Sequence, residues 1–309
     1  MNHPQPEKLS QGSLGFLVNF FAGGISGVIA KTATAPIERV KLLLQTQSSN
    51  ERIMRPYKGI YDCFYRTITE EGALALWRGN MANVIRYFPT QALNFAFKDV
   101  YRDFLLPKKK DSQNSTKIVL ANLLAGGLAG STSTLFVYPL DLARTRLGVD
   151  IGKKMSERQF TGVRDCLTKI HRTDGMTGLY RGIGMSLVGI FIYRGLYFGS
   201  YDSGKSLIMD HKKATLYEKF LFAQACVIFS ESISYPTDTI KRRLMMQSAK
   251  KEVIYSGAID CIRKMYQKEG VFGFWKGNFT NILRSVGSSL CLVLYDEMKS
   301  HADKHASKF

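Results

Sequence analysis

Acidic residues are scarce in this chain: 25 Asp and Glu stand against 43 Lys and Arg in 309 residues, a net charge of +18. No acidic tail or low-complexity tract offsets that balance. A surface so basic suits anionic partners: nucleic acid, anionic lipid or polyphosphate. Metal-binding spacings are missing as well. The five cysteines form no CxxC and no Cys/His pattern, and the five histidines form no metal-spaced cluster. There is no phosphate loop of the GxxxxGKS/T type and no nucleophile elbow. The expectation is therefore a non-enzyme without metal or chemical cofactor. Met1 to Gly12 lacks the basic-then-apolar layout of a secretory signal and the Arg/Ser-rich look of a cleaved transit peptide. Targeting information is expected inside the chain.

Charge is absent altogether from two stretches. Leu9 to Ala30 runs 22 residues without a charged side chain, and Ile118 to Leu140 runs 23. Either is long enough to cross a bilayer core. Gly23, Gly24 and Gly27 lie in the first run and Gly126, Gly127 and Gly130 in the second. Such small residues let helices approach closely. A soluble helical repeat that grips nucleic acid through its charge has no use for these runs, so no nucleic-acid partner is expected.

What is present comes three times. Pro36-Ile37-Glu38-Arg39-Val40-Lys41 returns 103 residues later as Pro139-Leu140-Asp141-Leu142-Ala143-Arg144, and 97 residues after that as Pro236-Thr237-Asp238-Thr239-Ile240-Lys241. Each is followed by an aromatic-x-Gly motif ending at Gly59, Gly162 or Gly257. Next come Glu71-Gly72, Asp174-Gly175 and Glu269-Gly270. Last come Trp77-Arg78-Gly79, Tyr180-Arg181-Gly182 and Trp275-Lys276-Gly277. Cys63, Cys166 and Cys261 hold equivalent places and are expected to be reduced packing residues. A period of ~100 residues means three like units.

The pattern predicts an all-α membrane protein of three pseudo-symmetric repeats, 12-107, 116-208 and 216-303. Six transmembrane helices would surround a central cavity, each pair joined by a short surface helix. Charges within the spans would face the interior or water, which accounts for a mean hydropathy of only −0.10.

Glu38/Lys41, Asp141/Arg144 and Asp238/Lys241 are three apart, hence on one helix face. Under threefold symmetry each acid meets the base of the next unit, closing one end of the cavity. Asp99/Arg102, Asp202/Lys205 and Asp296/Lys299 recur near the far ends of the even helices and predict a second ring. Two rings formed in turn make an alternating-access device.

Substrate contacts should break the symmetry. Eight residues beyond the base of each aromatic-base-Gly motif stand Arg86, Gly189 and Arg284. Arginine offers a planar fork to phosphate. Gly189 leaves room beside Ile190, and Tyr193 one turn on is placed to stack on a purine.

These motifs resemble the mitochondrial carrier family, over roughly residues 14 to 303. Within it Ala35 to Gln45, Trp77 to Asn80, Asn83 to Asp99 and Tyr138 to Asp141 are most similar to the members that exchange ADP for ATP. The resemblance implies that exchange, by a monomer in the inner mitochondrial membrane with both termini toward the intermembrane space. It makes the first ring the matrix gate and the second the cytoplasmic gate. It adds Lys31, Asn94, Lys98 and Ser234 to the cavity, and leaves Arg194 either on substrate or between helices. The glycine motifs, with Gly59, Trp77, Arg78, Gly79, Gly162, Tyr180, Arg181, Gly182, Gly257, Trp275, Lys276 and Gly277, resemble the family's cardiolipin sites.

Two departures keep other cargo open. The family's nucleotide-carrier signature Arg-Arg-Arg-Met-Met-Met is here Lys241-Arg242-Arg243-Leu244-Met245-Met246. Five residues before the three prolines stand Lys31, Thr134 and Glu231, where the family pattern implies a small residue in the third repeat. Glu231 is expected to face the cavity, with two readings open: a pair with Lys31 that weakens phosphate binding, or a group that titrates and couples a proton. The alternatives are a carrier of another adenine nucleotide, of the ATP-Mg/phosphate or coenzyme A type, and a proton leak protein.

Overall fold

The computed structural model describes residues 6–105, 115–207, 216–250 and 253–290; among them the regular structure is helical, with no strand. The first unit holds α1 (Pro6–Thr46), α2 (Ile60–Arg66) and α3 (Asn80–Leu105). The second holds α4 (Ser115–Gly148), α5 (Val163–Leu179) and α6 (Ile183–Leu207). The third holds α7 (Leu216–Met246), α8 (Ala258–Glu269) and α9 (residues 278–290).

Each unit starts with a long helix that carries its proline inside: Pro36, Pro139 and Pro236. Proline removes one ladder hydrogen bond and crowds the preceding turn, so the helix is weakened just before its charged motif. The glycines in the uncharged runs are contact points. A Cβ on Gly24 would meet the ring of Phe88, and one on Gly127 would meet Phe191 at 2.8 Å. α3 lies along α4, α6 along α7, and α1 touches α7.

Beneath the prolines each unit builds its own apolar core. Tyr57, Cys63 and Leu76 pack with α1; Phe160, Cys166 and Leu179 with α4; Tyr255, Cys261 and Phe274 with α7. The three cysteines are fully buried and free. Burial pushes their thiols up to about 12, so they are packing groups and not nucleophiles.

The acid-Gly motifs clamp these cores. Glu71 receives Arg39 and Arg78, and Glu269 receives Arg243 and Lys276. In the second unit Arg181 reaches Asp174 at 3.4 Å. Burial works to raise the Glu269 carboxyl, but the hydrogen bonds and charges of Arg243 and Lys276 prevail and hold it down at about 2. The stabilisation from this clamp is complete above the ordinary carboxylate range and is lost as pH falls toward 2.

By length and composition one described stretch, Ile183–Tyr201, is apolar enough to cross a membrane. The expected further spans carry glycine, hydroxyl and charged residues. A helix with one face toward a polar cavity is not apolar all round.

Candidate functional site: a polar cavity above a closed ring of ion pairs

The three charged motifs converge. Arg144 meets Glu38, Lys241 donates to Asp141 at 2.6 Å, and Lys41 donates to Asp238 at 2.9 Å. Each pair joins two repeats, and together they close a cycle. The cycle is braced. Gln45 donates to Asp238 at 3.3 Å and to Thr239 at 3.0 Å. Arg242 lies 3.2 Å from Asp238 and donates to Thr145 at 2.8 Å. The gate lysines also sit over aromatic rings, Lys241 over Tyr138 at 5.4 Å and Lys41 over Tyr235 at 5.2 Å. Those tyrosines donate to the carbonyls of Arg181 and Lys276, at 2.7 and 3.0 Å. The symmetry argument misses Gln45, Tyr138 and Tyr235. The two tyrosines directly precede Pro139 and Pro236, whereas Ala35 precedes Pro36.

Above the ring opens a cavity of about 290 Å³, lined among others by Lys31, Arg86, Ser234 and Arg284. Lys31 lies over the ring of Tyr87 at 5.1 Å. Arg86 approaches Asp141 at 3.8 Å. A neighbouring cavity of about 230 Å³ is lined by Gly189, Ile190, Tyr193 and Lys241, and Ser234 and Asp238 line both. The space at Gly189 is real but narrow, since a Cβ there would meet Thr237 Oγ1 at 2.6 Å. One compartment therefore offers cations and the other an aromatic ring beside a missing side chain.

Asn94, Lys98 and Arg194 line neither cavity. Asn94 and Lys98 follow Arg86 on α3, and Lys98 is exposed. The Arg194 guanidinium rests on α4, within 2.6–2.8 Å of where a Cβ on Gly126 or Gly130 would stand, so it packs between helices.

Of the two readings of Glu231, the pair with Lys31 is not formed. Its carboxylate lies 3.3 Å from Arg284 and accepts from the Asn281 amide at 2.9 Å. Charge sign at equal depth suggests Lys31; α9 lies nearer and supplies both partners.

Most of the signature is structural. Arg243 is buried against Glu269. Leu244, Met245 and Met246 enter the third, second and first cores respectively.

At the far end, Asp99 and Arg102 are exposed, and neither pairs with another described side chain. Asp296 and Lys299 lie outside the described residues, as do the side chains of Asp202 and Lys205.

The two glycine sets of the expected lipid sites differ. Gly79, Gly182 and Gly277 have φ of +81°, +85° and +88°. A Cβ on Gly182 would also stand 2.9 Å from the Lys241 carbonyl oxygen of the next repeat. Gly59, Gly162 and Gly257 are extended, and nothing lies within 4 Å of an added Cβ. Gly182 and Gly257 face each other across a surface cavity of about 290 Å³.

Three tandem units joined by a cyclic set of ion pairs beneath a polar cavity define a carrier-type fold. The chain belongs to the mitochondrial carrier family: the family's "Mitochondrial carrier protein" model matches residues 12–109, 115–212 and 212–306. Among its relatives, mouse ADP/ATP translocase 4 is 52% identical over 286 residues, 92% of this chain and 89% of that protein. Human ADP/ATP translocase 3 is 49% identical over 295 residues, 94% of this chain and 99% of that protein. Bovine ADP/ATP translocase 4 is 50% identical over 300 residues, 96% and 93% of the two chains.

Proposed function

We propose that this protein exchanges ADP for ATP across the mitochondrial inner membrane. One observation carries the reading most: a closed ring of inter-repeat ion pairs lies under a cavity with Arg86 and Arg284, next to a compartment with Gly189, Ile190 and Tyr193. The first compartment takes the phosphates through charge-assisted hydrogen bonds. The second takes the adenine between Ile190 and the Tyr193 ring. About half-identity to ADP/ATP translocases over nearly the full chain supports the same cargo.

In this reading α1, α3, α4, α6, α7 and α9 span the membrane, and α2, α5 and α8 lie on the matrix surface. Both termini face the intermembrane space, and the ring of Glu38, Lys41, Asp141, Arg144, Asp238 and Lys241 is the matrix gate, shut in this conformation. Opening it is coupled to forming the opposite ring from Asp99, Arg102, Asp202, Lys205, Asp296 and Lys299, so the cavity faces one side at a time. The chain works as a monomer. The gap between Gly182 and Gly257, at the starts of α6 and α8, takes a cardiolipin phosphate on backbone N–H groups.

The test is uptake of labelled ADP into liposomes that hold the purified protein and are preloaded with ATP, ADP, GTP, phosphate or nothing. Uptake driven only by internal ADP or ATP is expected. Uptake into empty or phosphate-loaded vesicles would reject a strict nucleotide exchanger.

A further inference from the structure

A carboxylate inside a phosphate-binding cavity has a cost, because it repels the ligand. Glu231 is such a group. It stands on α7 five residues before Pro236, at the level where the first repeat has Lys31 and the second Thr134. Its two oxygens are both engaged by α9: Oε1 lies 3.3 Å from the Arg284 guanidinium, and Oε2 accepts from Asn281 at 2.9 Å. Asn281 in turn accepts from Arg284 Nη2 at 3.1 Å through its own oxygen. Arg284 is thus held from two sides. The pair is not sealed, for the two side chains keep 25% and 19% exposure and both line the cavity.

Arg86, at the equivalent position of the first repeat, is paired more loosely, with the ring residue Asp141 at 3.8 Å, and has no carboxylate of its own in the cavity wall at the distance of Glu231 from Arg284. Lys31 faces the ring of Tyr87. Of the cavity cations that belong to neither the ring nor its brace, Lys31, Arg86 and Arg284, the last is the one most tightly paired before any ligand arrives.

We propose that Glu231 is a resident counter-ion that sets the nucleotide selectivity of the cavity. In the empty protein it holds Arg284. A nucleotide phosphate takes Arg284 from it, and the freed carboxylate then stands beside the bound polyphosphate. Each added phosphate charge meets this fixed negative charge, so ATP is disfavoured relative to ADP more than the cations alone would dictate. Glu231 is a specificity-determining residue; the inference rests on reading the cavity as the nucleotide site.

The experiment compares wild type with Glu231→Gln and Glu231→Asp. Gln keeps the volume and still offers an oxygen to Asn281, so it removes charge with little else. Two quantities are read: KM for external ATP and ADP in proteoliposomes, and the thermal shift each nucleotide gives the purified protein. Glu231→Gln is expected to lower KM for ATP about two- to fivefold and KM for ADP by less, as follows from freeing a partly exposed ion pair. Glu231→Asp should retain the wild-type ratio. Glu231→Gly, which removes the side chain, should match Gln and serves if Gln folds poorly.

An unchanged ATP-to-ADP ratio in Gln and Gly, with exchange intact, would overturn the assignment. So would loss of nucleotide binding in a folded Gln variant, since Glu231 would then be placing Arg284 and not competing for it. The two readouts separate this inference from the transport reading. If nucleotides stabilise the purified wild type and Glu231→Gln shifts the ATP-to-ADP balance of that thermal shift as expected, but wild type exchanges nothing, the transport reading alone falls.

Discussion

At the ring the three repeats are interchangeable, and in the cavity above it they are not. Each ring acid meets the next unit's base, and swapping repeats would leave the cycle unchanged. In the cavity the equivalent triplets are Arg86, Gly189, Arg284 and Lys31, Thr134, Glu231. Symmetric positions must serve an event all three units share, such as closing one end. Asymmetric positions must serve a ligand with no threefold axis. The same backbone geometry thus carries two kinds of information, separable by asking whether a residue has equivalents of the same chemistry.

The sharpest way to break that comparison is at the ring. Asp141→Asn leaves Lys241 buried without its partner, a loss of roughly 3–5 kcal/mol in such pairs. Exchange is expected to fall by more than about a hundredfold, and the swap Asp141→Lys with Lys241→Asp should recover part of it. A single variant with full activity would show that the ring is ornament.

A smaller effect is expected one layer up. Arg86→Ala removes charge-assisted hydrogen bonds worth about 1.5–3 kcal/mol, so KM for nucleotide should rise about ten- to a hundredfold. Thermal stability should change little. An unaltered KM would move cargo recognition elsewhere.

The smallest effect concerns glycines that look alike in sequence. Gly182→Ala forces a side chain into φ +85° against a carbonyl and should lower the unfolding midpoint by several degrees, for roughly 1–3 kcal/mol of strain. Gly257→Ala meets open space. It should leave the midpoint in lipid-free detergent unchanged but reduce the rise seen on adding cardiolipin. Equal losses in both would erase the distinction between them.

The ring is legible in the sequence because its signal is periodic. A proline, an acid and a base at fixed spacing, three times, leave few geometries. Arg86, Gly189 and Arg284 are legible for the complementary reason: equal spacing with unequal chemistry. Pairings that depend on side-chain reach are not. Glu231 and Lys31 share a depth, but the helix next to Glu231 presents Arg284 and Asn281 first. The Arg39–Glu71 contact is hidden because the clamp in the third unit uses Arg243, whose equivalent in the first is Leu43. Arg39 is one turn earlier on the same helix face and substitutes for it. Arg194 stays between two roles in the sequence because length alone does not tell a guanidinium which way to fold.

Leu244, Met245 and Met246 are consecutive, so they point about 100° apart around the end of α7. Each is anchored in a different unit's core. This short segment is therefore a hub with three spokes. Turning it disturbs all three cores together, and moving any one core pulls on the other two through a single turn of backbone. A molecule assembled this way has little access to states in which one unit has swung and two have not. Its conformational cycle should be concerted, with partly opened forms too rarely populated to let ions slip past the cargo.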